Sequence, residues 1–369
     1  MKKVCHITSA HKFDDIRIFQ KECKSLSKDF EVHYVVPNSD SQVIENVQIH
    51  GVKSIVGGRT QRFIKTVQAV YTEAKKIEAD IYHLHDPELL LIAMKLKRNT
   101  GAKVIFDSHE DVPKQIMDKY WIPKIFRQII SKTYENFESR ICKKLDAVIS
   151  VTPIICNRFS AINSEVELIA NFPDLNELNV ESISATNKDP RAICYVGALF
   201  PSRGIKELIL ALESCNACLH LAGTFMNDEF EREVKSLKGW DKVKFYGQID
   251  RNGIKNIFEK SNLGIVTLHP TLSYMEAYPI KMFEYMAAGI SFIASDFPLW
   301  RNIVTSHNCG ELVDPLDVSA LASIINRMLD ENEKTIQQGI NGKQAIEAEF
   351  NWEHEEQKLI QLYLKLLKQ

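Results

Sequence analysis

The sequence has no marked excess of charge, no long apolar run near its start and no glycine-rich dinucleotide fingerprint. Its formal net charge of -2 over 369 residues gives no overall attraction to a membrane surface or to nucleic acid. We therefore expect no nucleic-acid partner, and any basic patch must be local. The apolar run from Val4 to Ile7 is too short for a signal peptide or a membrane span. No Gly-x-Gly-x-x-Gly turn follows the first apolar run of either half, which disfavours a dinucleotide-dependent dehydrogenase.

The eight cysteines are scattered along the chain, which predicts free thiols in a reducing cytosol. Cys215 and Cys218 have the spacing of a redox or metal pair, but no second pair completes a zinc site. Cys218 also begins an apolar, strand-like run. We therefore interpret both as ordinary core or surface cysteines.

The pattern of apolar runs predicts two α/β domains. A single hydrophobic core stops growing at roughly 250–300 residues, so a chain of 369 residues suggests two. Short, continuously apolar runs alternate with helix-length segments in both halves, which favours parallel sheets covered on both faces. The predicted strands are 4–7, 32–36, 47–52, 81–84, 104–106 and 147–151, then 192–196, 218–222, 243–246, 263–268 and 291–294. Predicted helices include 16–27, 62–77, 205–213 and 228–237.

The domain boundaries follow from a break in this alternation. Residues 173–190 are polar, begin and end with proline and lack a helical apolar period, so we interpret them as a linker. This gives an N-terminal domain over 1–172 and a C-terminal domain over 191–350. Residues 351–369 form an amphipathic terminal helix, with the N-terminal domain as the candidate surface for its apolar face. In doubly wound sheets ligands bind at the carboxyl ends of the strands, here in the cleft that the two domains are expected to face.

The segment from Glu276 to Gly289 has the pattern of a ligand-binding loop and helix. Pro279 suits the first turn of a helix, Glu276 would lie in the loop before it, and Glu284 would lie on it. Gly289 would end the helix and lead into the apolar strand 291–294. A helix N-terminus offers free backbone N–H groups to a phosphate, and carboxylates can accept hydrogen bonds from sugar and ribose hydroxyls.

This segment resembles the signature of the retaining GT-B glycosyltransferases of family 4, which have two Rossmann-like domains. That signature is a glutamate, seven residues and a second glutamate, followed by a small-residue helix end and an apolar strand. Here it reads PIKMFEYMAAGISFIASDFP after Glu276 and includes Glu284. The resemblance implies that Glu276 contacts the transferred sugar and Glu284 the ribose of a nucleotide-sugar donor. We count Ile280 among the donor contacts.

A second glycine turn carries the same resemblance. After the strand 192–196 come Gly197 and, six residues later, Arg203 before another glycine. In the family a basic residue at that position grips the diphosphate, and Arg203 can do so with two parallel hydrogen bonds. Many relatives have arginine directly after the first glycine, where this chain has Ala198. Lys281 is the candidate to supply the missing charge, and Lys206 is the poorer one.

The loop after the first strand supplies acceptor-side candidates. It lacks the glycine-rich turn of many relatives and resembles a branch of the family with an aspartate, one residue and then Arg-Ile-Phe. Asp14 or Asp15 would cap the following helix. We predict His11, Asp15 and Arg17 as acceptor-side or phosphate-side contacts.

Two further strands end in histidines. Alternation along the strand places His83 and His85 on one face and Asp86 on the other. These three potential metal ligands therefore do not converge. Because the family needs no metal to hold its donor, we expect no metal and no other cofactor, and we include His85 among the acceptor-side candidates. His109 fits the position that in the family lies beside the transferred sugar. The capping role expected at that loop suits Ser108 and Asp111.

Residues 114–132 combine basic and aromatic side chains. Five lysines or arginines stand against one acidic residue, with apolar residues interleaved. One interpretation is a surface that meets anionic lipid at a membrane interface. The other is a solvated helix whose apolar side packs on its own domain. A lipid-linked acceptor would favour the first.

Together these features predict a retaining glycosyltransferase with a nucleotide-sugar substrate and a lipid-linked or oligosaccharide acceptor. The resemblance suggests bacterial surface-polysaccharide assembly by a cytoplasmic enzyme, peripheral at the inner face of the plasma membrane. A nucleotide-sugar epimerase and a non-catalytic nucleotide-sugar-binding protein remain alternatives. A glycosidase is disfavoured, because eight positions along a helix separate two carboxyl groups by roughly 12 Å. The predicted catalytic residues are His109, Arg203, Glu276 and Lys281.

Overall fold

The chain forms two compact α/β units. The structure, a computed structural model, describes residues 1–53, 59–119, 121–175 and 189–368, without the side chains of 59–63. One unit comprises Met1–Asn171 with Trp352–Gln369, and the other comprises Phe172–Asn351. Most of the predicted linker over 173–190 lies outside the described residues. Among the described helices, none has the length and apolarity needed to cross a bilayer.

The first unit is built on an eight-stranded sheet in the order β3-β4-β2-β1-β5-β6-β7-β8. Every neighbouring pair is parallel except the edge pair β3 and β4. The strands are β1 Lys3–Ile7, β2 Glu31–Pro37, β3 Gln42–Ile44, β4 Val47–Val52, β5 Ile81–Leu84, β6 Lys103–Ser108, β7 Ala147–Ser150 and β8 Val166–Leu168.

The second unit is built on a six-stranded, fully parallel sheet in the order β11-β10-β9-β12-β13-β14. Short connections at the carboxyl ends of its central strands carry the glycine turns and the glutamate segment. The strands are β9 Ala192–Val196, β10 Cys218–Ala222, β11 Val243–Phe245, β12 Leu263–Val266, β13 Ser291–Ser295 and β14 Gly310–Val313.

Helices cover both faces of each sheet. In the first unit they are α1 Ile16–Cys23, continued by Lys24–Leu26, α2 Arg59–Ile77, α3 Leu90–Thr100, α4 Val112–Asp118, α5 Lys124–Cys142 and α6 Pro153–Ser160. In the second they are α7 Ile205–Leu212, α8 Asp228–Lys235, α9 Arg251–Lys260, α10 Leu272–Met275, α11 Ile280–Ala287, α12 Pro298–His307, α13 Val318–Asp330 and α14 Asn332–Ala348. The terminal helix, α15 Trp352–Lys368, returns to the first unit.

Strand β1 shows why its sheet is covered on both faces. Its side chains alternate, so Cys5 and Ile7 pack into one hydrophobic cluster with α2 and α3, and Val4 packs into another with α1. Leu359 and Tyr363 of α15 belong to that second cluster. The terminal helix therefore covers one face of the first sheet with its apolar side.

Three strands and one helix type differ from the sequence-based expectation. Strands β3, β8 and β14 were not predicted, because their short sequences are only partly buried and carry no continuous apolar run. The predicted helix over 16–27 begins as a π-helix at Ile16–Cys23. A π-helical turn depends on tertiary packing and leaves no separate sequence signal.

Candidate active site

The glutamate segment lies as predicted in a loop followed by a helix. Glu276 directly follows the short helix α10, and Glu284 lies on α11, which begins at Ile280 immediately after Pro279. Gly289 ends the segment with φ 63°, a left-handed conformation that glycine adopts without strain. Glu276 is half-buried, Ile280 is exposed and Glu284 is buried.

The structure brings Lys281 to the first glycine turn. Gly197 follows β9 with φ 153°, and a Cβ built there would lie 3.7 Å from Cε of Lys281. The Lys281 stem therefore runs beside the backbone of the turn. The Tyr195 hydroxyl donates a hydrogen bond to the carbonyl oxygen of Ala198 at 3.0 Å, and burial raises the pKa of Tyr195 to about 12. Lys281 and Gly197, distant in sequence, thus form one locus.

Glu284 joins two cations at this locus. Its carboxylate accepts a hydrogen bond from Nζ of Lys281 at 2.5 Å and from Nη1 of Arg251 at 3.2 Å. Arg251, the first residue of α9, was missed by the sequence analysis, because nothing in the local sequence marks it as a partner of Glu284. In the structure the carboxylate of Glu284 is thus paired with two cations.

Arg203 lies at the second glycine turn. It ends the 3-10 turn Pro201–Arg203, and its guanidinium stacks over the Tyr274 ring at 5.3 Å. Its Nε atom is buried without a hydrogen-bond partner among the described residues. Gly204 follows with φ 70°, and a Cβ there would lie 2.1 Å from the Thr267 carbonyl oxygen, so only glycine fits.

Lys206 behaves as the poorer candidate that the sequence suggested. Its ammonium group pairs with Glu233 at 2.5 Å, and both side chains are exposed. This places Lys206 on the outer surface of α7 and leaves Lys281 and Arg203 as the basic groups at the glycine turns.

In the first unit, His109 lies on a buried carboxylate. Its Nε2 atom is 3.1 Å from Oδ2 of Asp107, the fifth residue of β6, and its side chain is 19% exposed. Burial alone would raise the pKa of Asp107, but Arg17 and His109 hold it well below its usual range. Asp107 is therefore an anion that orients His109, which stays a predicted catalytic residue.

The structure places Arg17 and His85, two of the predicted acceptor-side residues, in buried positions. Arg17 is buried, and its Nε and Nη2 atoms donate to Asp107 at 3.0 and 3.1 Å. His85 is also buried, which lowers its pKa to about 4, and it lies 3.3 Å from His109. Neither side chain offers a free surface to an acceptor. Both support the pair formed by Asp107 and His109.

His11 and Asp15 are the partly exposed acceptor-side candidates. Nδ1 of His11 lies 2.8 Å from Oδ2 of Asp15, and this hydrogen bond raises the pKa of His11. Burial opposes ionisation of Asp15, but the bond to His11 lowers the Asp15 pKa to about 2. Asp15 also accepts hydrogen bonds from the first backbone N–H groups of α1, so its predicted capping role is confirmed, as is that of Asp111 on α4.

Part of the segment 114–132 turns apolar side chains to solvent. Trp121, Ile125 and Ile129 are 56%, 76% and 64% exposed, and Phe126 and Ile130 are also exposed. We call these five residues the apolar patch. Of the apolar residues in this segment, Ile116 and Ile122 pack on their own domain, whereas the five residues of the patch do not. Tyr120 lies outside the described residues.

Comparison with protein families decides the class of the molecule. The model of the family Glycosyltransferase Family 4 matches residues 21–177, and that of Glycosyl transferases group 1 matches residues 178–345. The two matches adjoin and cover both units. The chain belongs to glycosyltransferase family 4. This confirms the predicted GT-B fold and the predicted enzyme class, a retaining glycosyltransferase, and gives no support to an epimerase.

Three curated relatives have low sequence identity to this glycosyltransferase, and all three are named as sugar transferases. An uncharacterized glycosyltransferase of Methanocaldococcus jannaschii is 24% identical, over 63% of this chain and 60% of the relative's length. A phosphatidyl-myo-inositol mannosyltransferase of Mycolicibacterium smegmatis is 21% identical, over 82% and 77%. O-antigen chain mannosyltransferase C of Escherichia coli is 20% identical, over 90% and 86%.

Solved structures share the fold over the full length of the glycosyltransferase. Sucrose-phosphate synthase from Thermosynechococcus elongatus aligns with a TM-score of 0.78 at 20% identity, over 100% of both chains. HepE from Anabaena, solved in complex with UDP, aligns with a TM-score of 0.74 at 16% identity, over 99% of this chain and 100% of that one. The same protein has been solved in complex with UDP-glucose.

Proposed function

We propose that this glycosyltransferase transfers a sugar from a UDP-sugar to a hydroxyl group of a lipid-linked or oligosaccharide acceptor. The observation that carries the proposal is the locus where Lys281 runs beside the Gly197 turn, at the end of a central strand of the second sheet. A lysine beside a glycine turn is suited to a diphosphate. The glycine backbone can approach the ligand closely, and the positive charge of the lysine attracts the negative phosphates. The complexes of HepE with UDP and UDP-glucose support the choice of nucleotide.

The second unit offers a group for each part of the donor. Arg203 carries a buried Nε without a hydrogen-bond partner among the described residues, which suits a phosphate oxygen. Helix α11 begins at Ile280 and presents its first backbone N–H groups at the same locus. Glu276 is assigned to the transferred sugar and Glu284 to the ribose. These cations and N–H groups supply the positive charge, so we propose that donor binding needs no metal and no other cofactor.

The chemistry requires the bond between the sugar and the diphosphate to break while the acceptor hydroxyl bonds to the same face of the sugar. Negative charge grows on the leaving phosphate, where Lys281 and Arg203 would stabilise it electrostatically. No dedicated nucleophile is assigned. We assign acceptor recognition to the first unit, whose partly exposed His11 and His109 are its candidate residues.

The donor test combines nucleotide binding with transfer. We expect UDP, among a set of nucleoside diphosphates, to raise the melting temperature, since a ligand at 100 times its Kd stabilises by about 2.7 kcal/mol. The variant Glu276→Gln should keep this shift but lose about 10²-fold or more in kcat for transfer of radiolabelled sugar. Glu333→Gln, an exposed glutamate of the same unit, is the matched control. Equal transfer by both variants, or no stabilisation by any nucleotide, would refute the assignment.

The acceptor side of the proposal rests on the apolar patch. Exposed aromatic and branched residues flanked by lysines suit the interface of an anionic bilayer. The lipid named as substrate of the mycobacterial relative and the O-antigen named for the enteric one support a membrane-bound acceptor in surface-polysaccharide assembly. We accordingly propose peripheral binding at the cytoplasmic face of a bacterial plasma membrane.

Membrane binding has a matched test within the chain. Replacing Ile125 and Ile129, one turn apart on α5, by glutamate should reduce co-sedimentation with vesicles of anionic phospholipid by roughly tenfold or more. The loss follows from removing two apolar side chains from the interface and adding two like charges to it. Ile336 and Ile340 on α14 are exposed with the same spacing, so their glutamate pair is the control. Equal vesicle binding by the two double variants would contradict the proposal.

A further inference from the structure

Three histidines and one glutamate form a buried cluster in the first unit. His6 lies on β1, His83 on β5, His85 directly after it, and Glu22 on α1. All four side chains are fully buried. One nitrogen or carboxylate oxygen from each lies within 4.8 Å of the others. This cluster is separate from the donor locus of the second unit.

The fold makes the four side chains converge. Strands β1 and β5 are parallel neighbours with His6 in register with His83, and alternation places His85 on the same face as His83. The Oε2 atom of Glu22 is 3.8 Å from Nδ1 of His6, 3.8 Å from Nε2 of His85 and 4.0 Å from Nδ1 of His83. The two facing imidazole nitrogens of His6 and His85 are 2.8 Å apart.

Arg17 forms an ion pair with Oε1 of Glu22, its Nε atom 3.0 Å away, and Oε2 has no hydrogen-bond partner among the described residues. Oε2 is directed at the three imidazoles. A buried polar atom without a hydrogen-bond partner is costly. A cation at the point where Oε2 meets the imidazole nitrogens would satisfy it.

The surroundings also match those of a metal site. Histidine ligands commonly donate their second N–H to a carboxylate or another acceptor, which fixes the ring. Nε2 of His6 lies 3.2 Å from the Tyr363 hydroxyl, and Nδ1 of His85 lies 3.6 Å from Oδ2 of Asp107. The Tyr363 hydroxyl is also 2.7 Å from Nδ1 of His83. On metal binding, Nδ1 of His83 would exchange its hydrogen bond with this hydroxyl for a bond to the metal.

We propose that His6, Glu22, His83 and His85 bind one divalent transition-metal ion of the zinc type. Nitrogen and carboxylate ligands about 2.0–2.2 Å from such an ion are about 3.3–3.6 Å from one another in a tetrahedral site. The separation of His6 from His85, 2.8 Å, lies below that range, and those of Glu22 from the three histidines, 3.8 to 4.0 Å, lie above it. Full burial leaves no position open to substrate. The ion is therefore structural, tying β1, α1 and β5 together, and donor binding remains metal-free.

The test uses full-length protein without a histidine tag, stripped with chelator and reloaded with Co²⁺. After gel filtration we expect about one ion per chain, with the visible ligand-field absorption of a four-coordinate site. We also expect a higher melting temperature than that of the stripped protein. No absorption and an unchanged melting temperature would overturn the proposal. In that case the four groups form a metal-free hydrogen-bonded network. This arm needs only the unmodified sequence, so it holds even if the variants fold poorly.

Variants locate the ion. Glu22→Gln and His85→Asn should each lower bound Co²⁺ at least tenfold. His33→Asn with His50→Asn removes another close histidine pair, 2.9 Å apart in the same unit, and should leave Co²⁺ binding unchanged. His109→Asn separates the proposed site from the neighbouring group of His85, Asp107 and His109. Loss of the ion in His109→Asn or in the His33 and His50 pair, with retention in Glu22→Gln, would overturn the assignment.

Discussion

Replacing Lys281 by methionine should lower kcat/KM for sugar transfer by about 10²–10³-fold, comparable with the loss of one preorganised oxyanion donor. Methionine keeps a flexible apolar stem beside the Gly197 turn but removes the charge. The lost charge is the one expected to oppose that of the leaving diphosphate. The fold should be little affected, because Glu284 keeps its ion pair with Arg251 when Lys281 is replaced.

A second lysine in the same unit provides the control for this prediction. Lys206 also follows a glycine turn and also pairs with a glutamate, but on the exposed surface of α7. Lys206→Met should leave kcat/KM within about twofold, as expected for a surface pair. The measurement is initial-rate transfer of labelled sugar at low donor concentration. If both methionine variants lost activity equally, Lys281 would have no special role at the donor.

The pairing of Glu284 suggests how the locus changes when the donor binds. Without donor, Lys281 and Arg251 share one carboxylate. A diphosphate would compete with Glu284 for Lys281, and Arg251 would then remain as the cation beside the buried Glu284. With Arg251 still paired to it, the Glu284 carboxylate could also accept a hydrogen bond from a ribose hydroxyl. Arg251 is on this account a positioning residue for Glu284.

The sequence predicted the parts of the fold that depend on local pattern. The continuous apolar runs of β1 and β9 were recognisable because both of their faces are buried, and the helix α11 because Pro279 and Gly289 mark its ends. The same-face placement of His83 and His85 followed from alternation alone, and their rings do stack at 4.4 Å. These features need no knowledge of distant residues.

The parts that depend on distant contacts were not predictable in this way. Arg251 reaches Glu284 from another helix, and no spacing rule connects them. Arg17 was predicted as a ligand contact from the family pattern around it, yet its guanidinium binds Asp107, on a strand that follows much later in the chain. The convergence of Glu22 with three histidines likewise depends on how α1 packs on the sheet. Apart from the short strands β3, β8 and β14, what the sequence left open is mainly the pairing between elements.

Replacing Arg17 by methionine should destabilise the first unit by about 3–5 kcal/mol, the usual cost of removing one partner from a buried ion pair. Arg17 is 5% exposed and lies within 3.1 Å of both oxygens of Asp107, which is fully buried. Without the guanidinium, Asp107 keeps its contacts with His85 and His109 but loses its cationic partner. Urea denaturation followed by circular dichroism would measure the loss, with Arg98→Met, an exposed arginine of α3, as the control.

The pH dependence of stability and a second substitution test whether Arg17→Met is destabilised because Asp107 is left without a counter-charge. The pKa of Asp107 is held well below its usual range, so its ionised form contributes stability at neutral pH, and that contribution is lost as pH falls through the depressed pKa. In Arg17→Met this depression is largely removed, so the deficit relative to the unmodified protein should shrink on acidification. Adding Asp107→Asn should restore part of the stability at neutral pH, because the amide needs no counter-charge. A deficit that was independent of pH and unaffected by Asp107→Asn would instead point to lost packing of the Arg17 side chain.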